Sequence, residues 1–387
     1  MRSAWVVFHK ELVDTLRDRK SLFTMLLTGV LMGPLMLMLM SVVIQGAEEK
    51  AERREVWAVG MQHAPDLQNF LARQGYTVKE APAHYEGGLR DGSFGNPVIV
   101  VPEKFAAERA RGETPEIRVV FDSSNKEADL QTRAVEGALT AYRGRLASLE
   151  LAMRGVSGGV LEPFTVQRHN LADQQSQSAT VTGIVALFVM IAVLVAALAG
   201  SLDSMAGERE RGSLQPLLMN PISLGALVGG KWLAVAALAM GVALLSVLSF
   251  IPGQWLLQSE ALQAMFRFGV GEGAMFLLML LPYAGAVSGM MLLTSIHGKT
   301  FKEAQTSSSV LLMALQMLPL IGILNFSGEK PWYVWVPSLA QHTVMLRILR
   351  GDALEWQHLV VPTGVSLALT VVCLAVLAKR IRGLAVR

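Results

Sequence analysis

Cysteine is nearly absent from this sequence. Its 387 residues include one cysteine, Cys373, which lies within an apolar run. Intramolecular disulfides are therefore excluded, and any domain that faces an oxidising compartment must be held together by its core. The formal net charge of +3 is too small to favour nucleic-acid binding, so no nucleic-acid partner is predicted.

Motifs for nucleotide chemistry and catalysis are also missing. Residues 297–300 (HGKT) contain the GKT of a phosphate-binding loop, but the glycine expected five residues before Gly298 is Leu293. Residues 156–159 (VSGG) are similar to part of an ABC-ATPase signature, and we interpret them as a loop. The HExxH pattern does not occur, and the seven histidines lack ligand-like spacing. We predict no catalytic residue, no metal site and no cofactor.

Long apolar runs are the main positive feature. Each is close to the roughly 20 residues that a helix needs to cross a bilayer. They cover 22–44, 181–201, 229–251, 273–296, 307–324 and 359–378. The first exceeds the apolar part of a signal peptide, which has about 7–15 residues, so we predict an uncleaved membrane helix over 21–45. Its Gly29 and Gly33 form a GxxxG pair, which favours close helix packing.

The interiors of these runs contain no charged side chain, since Asp203 and Glu272 lie at edges. Ion-coupled carriers usually place acids or bases near the membrane midplane, because a proton or cation needs a ligand there. This absence argues against a gradient-driven carrier or channel, which nevertheless remains an alternative.

Residues 1–20 predict a different kind of helix. Trp5, Phe8, Leu12 and Leu16 recur at three- and four-residue spacing, with most charges on other faces. This pattern is typical of an amphipathic helix at a membrane surface. The alternative is a solvated leader to the first membrane helix.

Residues 46–179 change character, because charges become frequent and apolar runs shorten. Strand-like and helix-like patterns alternate here, which predicts a small α/β domain. The predicted strands are 56–61, 76–81, 96–102, 115–124 and 162–172, and the predicted helices are 64–75, 104–112 and 125–155.

The distribution of lysine and arginine predicts the orientation. Six spans place both termini on one side, which would hold fourteen of these residues. The short loops opposite hold four, Arg267, Lys330, Arg347 and Arg350. By the positive-inside rule both termini are cytoplasmic. The 46–179 domain is too long to enter this count, and it is predicted to face outward. The segment 326–358 is predicted to lie at the outer interface.

The segment 203–231 is the most informative one. It begins with a mixed-charge turn, Glu208, Arg209, Glu210, Arg211 and Gly212. An apolar patch that includes Leu214 follows, and then Pro221. Positive-inside charges would explain the arginines of a solvated loop, but not the glutamates between them. An apolar patch ringed by charge is typical of a surface that binds a partner.

These residues also carry a resemblance. The pattern of residues 208–223, followed by Gly230-Lys231, looks like the ABC-2 permease family. Residues 10–19 (KELVDTLRDR) are similar to the same family, although Gln215-Pro216 departs from its usual pattern. The large insert after the first span resembles the subgroup of NatB-type sodium-extrusion permeases and related drug or peptide exporters.

The resemblance implies a role for specific residues. Those expected to meet or adjoin a cytoplasmic ATPase are Lys10, Glu11, Arg17, Asp18, Glu208, Arg209, Glu210, Arg211, Gly212, Leu214 and Pro221. The predicted coupling loop is therefore 203–231, beside the N-terminal helix.

The sequence thus predicts an α-helical polytopic membrane protein of six transmembrane helices, similar to ABC-2 (type V) exporters. An α/β extracytoplasmic domain lies between helices 1 and 2, and the other five helices lie in 180–387. The expected function is that of a permease half-subunit in a bacterial inner (plasma) membrane. Its expected partners are ABC ATPase subunits, a second permease subunit and the lipid bilayer. A membrane-anchored sensor or assembly scaffold is the other alternative.

Overall fold

The computed structural model describes two compact units. It describes residues 2–385 except 92, 95, 123–125, 162–163, 165–173, 214–215, 217–221, 260–261, 264–265, 267, 299 and 326–327. One unit comprises Met1–Val43 and Leu171–Arg387, and the other comprises Ile44–Asn170. The second unit lies in the chain where the sequence predicts an inserted domain.

The N-terminal region is almost continuously helical. Helix α1 (Arg2–Arg17) is followed by α2 (Arg19–Leu26), a π turn (Leu27–Leu31) and α3 (Met32–Arg53). Val7 and Glu11, one helical turn apart, are the buried residues of α1, whereas Trp5 and Leu16 are exposed. The predicted amphipathic helix is present, and it packs through a face other than the aromatic one.

The inserted unit is an α/β domain with a four-stranded sheet. Its elements are β1 (Glu55–Val59), α4 (Pro65–Arg73), β2 (Thr77–Glu80), α5 (Tyr85–Asp91), β3 (Val98–Val100), α6 (Phe105–Ala110), β4 (Arg118–Val120) and α7 (Lys126–Met153). The strand order is β2-β1-β3-β4, with β1 parallel to β2 and β3, and β4 antiparallel to β3. Leu67 and Leu71 of α4 and Ile99 of β3 are fully buried in its core.

The remaining elements complete the first unit. Helix α8 (Gln174–Ser201) continues through a second π turn (Leu202–Gly207) into α9 (Glu208–Glu210). The helices that follow are α10 (Leu224–Gly253), α11 (Val270–Ser295), α12 (Phe301–Leu324), α13 (Leu339–Arg350) and α14 (Trp356–Ala385). A 3₁₀ turn, Pro331–Trp335, precedes α13.

Among the residues that the structure describes, six helices are long and apolar enough to cross a membrane, which confirms the predicted number of spans. They are Leu22–Gly46, Val181–Glu210, Leu224–Leu256, Val270–Ser295, Phe301–Leu324 and Trp356–Gly383, called spans 1 to 6. Spans 2, 3 and 4 are 56%, 56% and 67% buried, against 28%, 17% and 22% for spans 1, 5 and 6. Spans 2 to 4 therefore form the centre of the unit, and the other three present broad apolar faces.

Three sequence-based expectations are revised or lie outside the described residues. Residues 203–210 and 224–231 of the predicted loop 203–231 are helical, because the helix of span 2 continues to Glu210 and α10 begins at Leu224. The expected interfacial segment contains α13, in which nine of 12 residues are buried, so this helix packs within the unit. The predicted strand 162–172 lies almost entirely outside the described residues, and α5 was not predicted.

Gly33 permits the close packing that its motif predicts. A Cβ atom at Gly33 would lie 2.3 Å from Cζ of Phe250 in span 3, and the Phe250 ring is fully buried. A Cβ at Gly29 would lie 2.7 Å from Cγ1 of Val242. Both glycines therefore face span 3.

We expect Gly33→Ala to lower the free energy of unfolding by about 1–3 kcal/mol, because the buried ring of Phe250 has no room to move. The matched control is Gly46→Ala in the same helix, where an added Cβ would meet nothing within 4 Å. Unfolding of the purified protein in detergent measures both. Equal stability of the two variants would contradict the packing assigned to Gly33.

Candidate functional site

Lys231 is the most unusual residue of the first unit. It lies in the second turn of α10, and its side chain is fully buried. Its Nζ atom donates to Oε1 of Glu11 at 2.8 Å, to Oε2 of Glu208 at 2.7 Å and to the backbone oxygen of Ser204 at 2.8 Å. These three acceptors match the three protons of the ammonium group, so a buried charge is fully hydrogen-bonded.

Glu11 reaches Lys231 because α1 lies directly on α10. Gly230 makes this approach possible, since a Cβ there would lie 2.7 Å from both the backbone oxygen of Ala4 and Cβ of Val7. Val7 and Glu11 are one turn apart, so the face of α1 that contacts Gly230 also carries the carboxylate. Gly230 and Lys231 therefore both contribute to the contact between α1 and α10.

Lys10 completes a compact group of four charges. Its Nζ atom bonds Oε1 of Glu208, lies 3.0 Å from Oε1 of Glu11 and lies 3.4 Å from Oδ2 of Asp14. We call Lys10, Glu11, Glu208 and Lys231 the charge cluster. The charges of the two lysines and two glutamates sum to zero. Each carboxylate also contacts both ammonium groups. The charge cluster thus joins α1 to the ends of spans 2 and 3.

The second π turn supplies the backbone acceptor for Lys231. Ser204 lies in Leu202–Gly207, immediately before Glu208. A π turn interrupts the regular ladder of α-helical hydrogen bonds, and such turns occur frequently at functional sites. Here Lys231 bonds both the backbone of the turn and the carboxylate that follows it.

The remaining residues of 208–212 bind other helix ends. Arg209 Nη1 donates to the backbone oxygens of Ile296 and Gly298, at 3.1 and 3.0 Å, between spans 4 and 5. Glu210 accepts from the backbone N–H of Phe301 at 2.7 Å, at the start of span 5. The alternating charges therefore connect the ends of spans 2, 4 and 5.

Arg211 and Gly212 end this helix. Arg211 Nε donates to the backbone oxygen of Gly207 at 3.0 Å. Gly212 has a φ of +70°, and the next N–H, of Ser213, donates to the backbone oxygen of Glu208. This is the reversal by which a left-handed glycine terminates a helix.

The charge cluster shifts the pKa values of the two α1 residues. Burial would raise the pKa of Glu11, but Lys231 and Lys10 outweigh it and lower that pKa below its ordinary 4.5. This contribution to stability is therefore present above pH 4.5 and lost as the pH falls through the lowered value. Burial likewise opposes the charge on Lys10, but Glu208 and Glu11 raise its pKa above the ordinary 10.5.

A polar cavity of about 400 Å³ opens beside the charge cluster. It is lined by Lys10, Glu11, Asp14, Thr15, Asp18, Asp203, Ser204, Glu208, Arg211 and Ser213. The exposed part of this lining comes from α1 and from the residues after α9. The cavity therefore lies on the solvent-accessible side of the contact between α1 and the spans.

Comparison with known proteins gives the family. The family described as "ABC-2 family transporter protein" matches residues 19–379. The chain belongs to the ABC-2 transporter family. It is also similar to the ABC transporter permease protein NatB of Bacillus subtilis (strain 168), with 26% identity over 355 residues and 89% of each chain covered. No solved structure matches.

The permease brings together only some of the residues predicted for coupling. Lys10, Glu11 and Glu208 meet in the charge cluster, and Glu208 lies buried in helix α9 rather than in the turn that the sequence predicts. Arg17 and Asp18 are exposed farther along α1 and after it. Leu214 and Pro221 lie outside the described residues.

Sequence reasoning missed two residues of the permease site. Lys231 was noted as part of the family pattern and as a positive-inside charge, but not as a site residue, and Ser204 was not singled out. A signal existed for Lys231, because it stands alone in an apolar helix after a glycine. Its carboxylate partners lie 220 and 23 residues away, so the pairing was not readable from local spacing.

We expect Lys231→Met to destabilise the permease by about 3–5 kcal/mol, since two buried carboxylates would then share only Lys10. The triple variant Glu11→Gln, Glu208→Gln, Lys231→Met removes those charges as well and should regain most of the loss. Unfolding in detergent compares the two. A single variant as stable as the wild type would contradict the charge cluster.

Proposed function

We propose that this permease is the membrane half-subunit of an exporter that separate cytoplasmic ATPase subunits power. The observation that supports this most is the charge cluster, which ties a surface helix to the ends of two spans. Such an arrangement can pass a force applied to α1 directly to membrane helices. The chain itself would be non-catalytic, with no cofactor.

The ATPase would contact the accessible side of this arrangement. Asp14, Arg17 and Asp18 on or beside α1, and Arg211 after α9, are exposed and carry charges of both signs. Exposed charges at the rim of an interface influence recognition and association rate more than affinity. The buried residues Glu11, Glu208 and Lys231 would then transmit the contact rather than make it.

The proposed mechanism is mechanical. ATP binding brings two ATPase subunits together, and they press on α1 and on residues 203–231. Because Arg209 and Glu210 also hold the junction of spans 4 and 5, the motion would reach four spans. The bundle then changes between two packings, which is the usual form of such switching transitions.

A second permease subunit would complete the pathway. Spans 1, 5 and 6 are the least buried of the six and present apolar faces. Lipid and a second copy, or a related chain, are the surroundings that such faces fit. Both termini would be cytoplasmic in a bacterial inner membrane, with the α/β unit outside.

The alternatives are less well supported. A sensor or scaffold needs only an anchor, and it would not need ion pairs that join α1 to the spans. A gradient-driven carrier would need titratable groups near the midplane. Glu208 and Lys231 are buried, but they lie near the ends of their spans rather than at the centre.

We expect Arg17→Glu combined with Arg211→Glu to weaken binding of the ATPase subunit at least tenfold, because both side chains are exposed, Arg17 at the end of α1 and Arg211 in the lining of the cavity. Candidate ATPase subunits encoded beside the gene of this chain would be co-expressed, and the Kd of each would be measured by titration in detergent. The matched control is Arg143→Glu with Arg154→Glu, two exposed arginines of the α/β unit. Failure of any ATPase to bind the wild type would refute the proposed function.

We expect Gly230→Ala to slow ATP hydrolysis by the complex, since an added Cβ pushes α1 away from α10. The rate of ATP hydrolysis by the reconstituted complex should fall at least fivefold. Gly229→Ala is the control, because a Cβ there would meet nothing within 4 Å. An unchanged rate in Gly230→Ala would show that the position of α1 is not part of coupling.

A further inference from the structure

Two membrane spans contain π turns, at Leu27–Leu31 in span 1 and at Leu202–Gly207 in span 2. A π turn holds one residue more than an α turn, and it disturbs the local hydrogen-bond ladder. Both turns lie near the charge cluster along the chain. The first follows α1 and α2, and the second directly precedes Glu208.

Helix α10 contacts both π turns in the same way: one of its side chains reaches a backbone oxygen of each turn. Lys231 Nζ donates to the backbone oxygen of Ser204 in the second turn. Ser249 Oγ shares its one proton between the backbone oxygen of Val30 in the first turn, at 3.0 Å, and that of Ser246 in its own helix, at 2.7 Å. Helix α10 is itself bonded to span 4, where Trp232 Nε1 donates to the backbone oxygen of Gly285 at 2.8 Å.

The geometry of a π turn gives these contacts a consequence. If the extra residue is released, the helix beyond it advances by one residue, which is a rotation of about 100° and a translation of about 1.5 Å. Such a rotation in span 2 would carry Glu208 off Lys231. The same change in span 1 would replace Gly29 at the contact with spans 2 and 3.

We propose that the two π turns are joints at which spans 1 and 2 change register when the charge cluster opens, with α10 as the fixed helix between them. This inference rests on the proposed function, because it says how a force on α1 becomes a movement of the spans. Lys231 and Ser249 are the positioning residues that hold the resting register.

A disulfide across the first joint tests the proposal. A Cβ at Gly29 would lie 3.4 Å from Cβ of Ala192 in span 2, close to the spacing of about 3.5–4.5 Å that disulfides have. The variant Gly29→Cys/Ala192→Cys, made in a Cys373→Ser background, would be reconstituted with its ATPase subunit. Oxidation should lower the rate of ATP hydrolysis at least tenfold, and reduction should restore it.

The native cysteine provides a matched control. A Cβ at Gly289 in span 4 would lie 3.1 Å from Cβ of Cys373 in span 6, slightly closer than the usual disulfide spacing, so Gly289→Cys forms a second disulfide after a small shift of either span. That bond joins two spans that the proposal does not separate, and its oxidation should change the rate less than twofold. An oxidised Gly29→Cys/Ala192→Cys chain that keeps its rate would overturn the proposal.

A second measurement needs no ATPase. If span 1 changes register, Thr28 or Val30 takes the place of Gly29 opposite Ala192. We expect Thr28→Cys/Ala192→Cys or Val30→Cys/Ala192→Cys to crosslink in isolated membranes under oxidation when the charge cluster has been removed by Glu11→Gln, Glu208→Gln and Lys231→Met. If only the Gly29 pair crosslinks, the joint is fixed and the inference is wrong, whether or not an ATPase binds. If a shifted pair crosslinks but no ATPase binds, the proposed function fails and the joint stands.

Discussion

The bonds of Lys231 are the interaction on which the α1 end of this permease depends. One buried ammonium group holds a surface helix, the end of span 2 and the start of span 3 in a single geometry. The group cannot remain buried without its carboxylates, and they cannot remain buried without it. Any movement of α1 therefore changes the hydrogen bonding of two spans at once.

An ionic contact suits this position better than an apolar one. A buried ion pair gains little net stability, because desolvation offsets much of the attraction. Its geometry is nevertheless directional, so a small displacement is felt strongly. The apolar faces of the spans, by contrast, can slide against lipid or against each other with less penalty. The charge cluster would thus be closed in one packing of the helices and open in the other.

The membrane spans and the strands were predictable from local sequence patterns. Runs of about 20 apolar residues predict spans, and alternating patterns predicted four of the described strands, because both signals are local. The pattern of α13 was ambiguous, since a semi-apolar helix reads the same whether it lies at an interface or within a bundle. Glu208 and Arg209 were selected from their motif, but the groups that they contact lie in α1 and α10 and between spans 4 and 5, and those contacts were not predictable.

The sequence by itself determined the membrane class, the number of spans, the inserted α/β domain and the family, because hydropathy and short motifs do not depend on distant contacts. Only the tertiary structure decided that Glu208 is buried and that Lys231 is its partner. It also decided that Gly230 is required for the approach of α1, and where the π turns meet α10. These features depend on which side chains become neighbours when helices distant in sequence pack together.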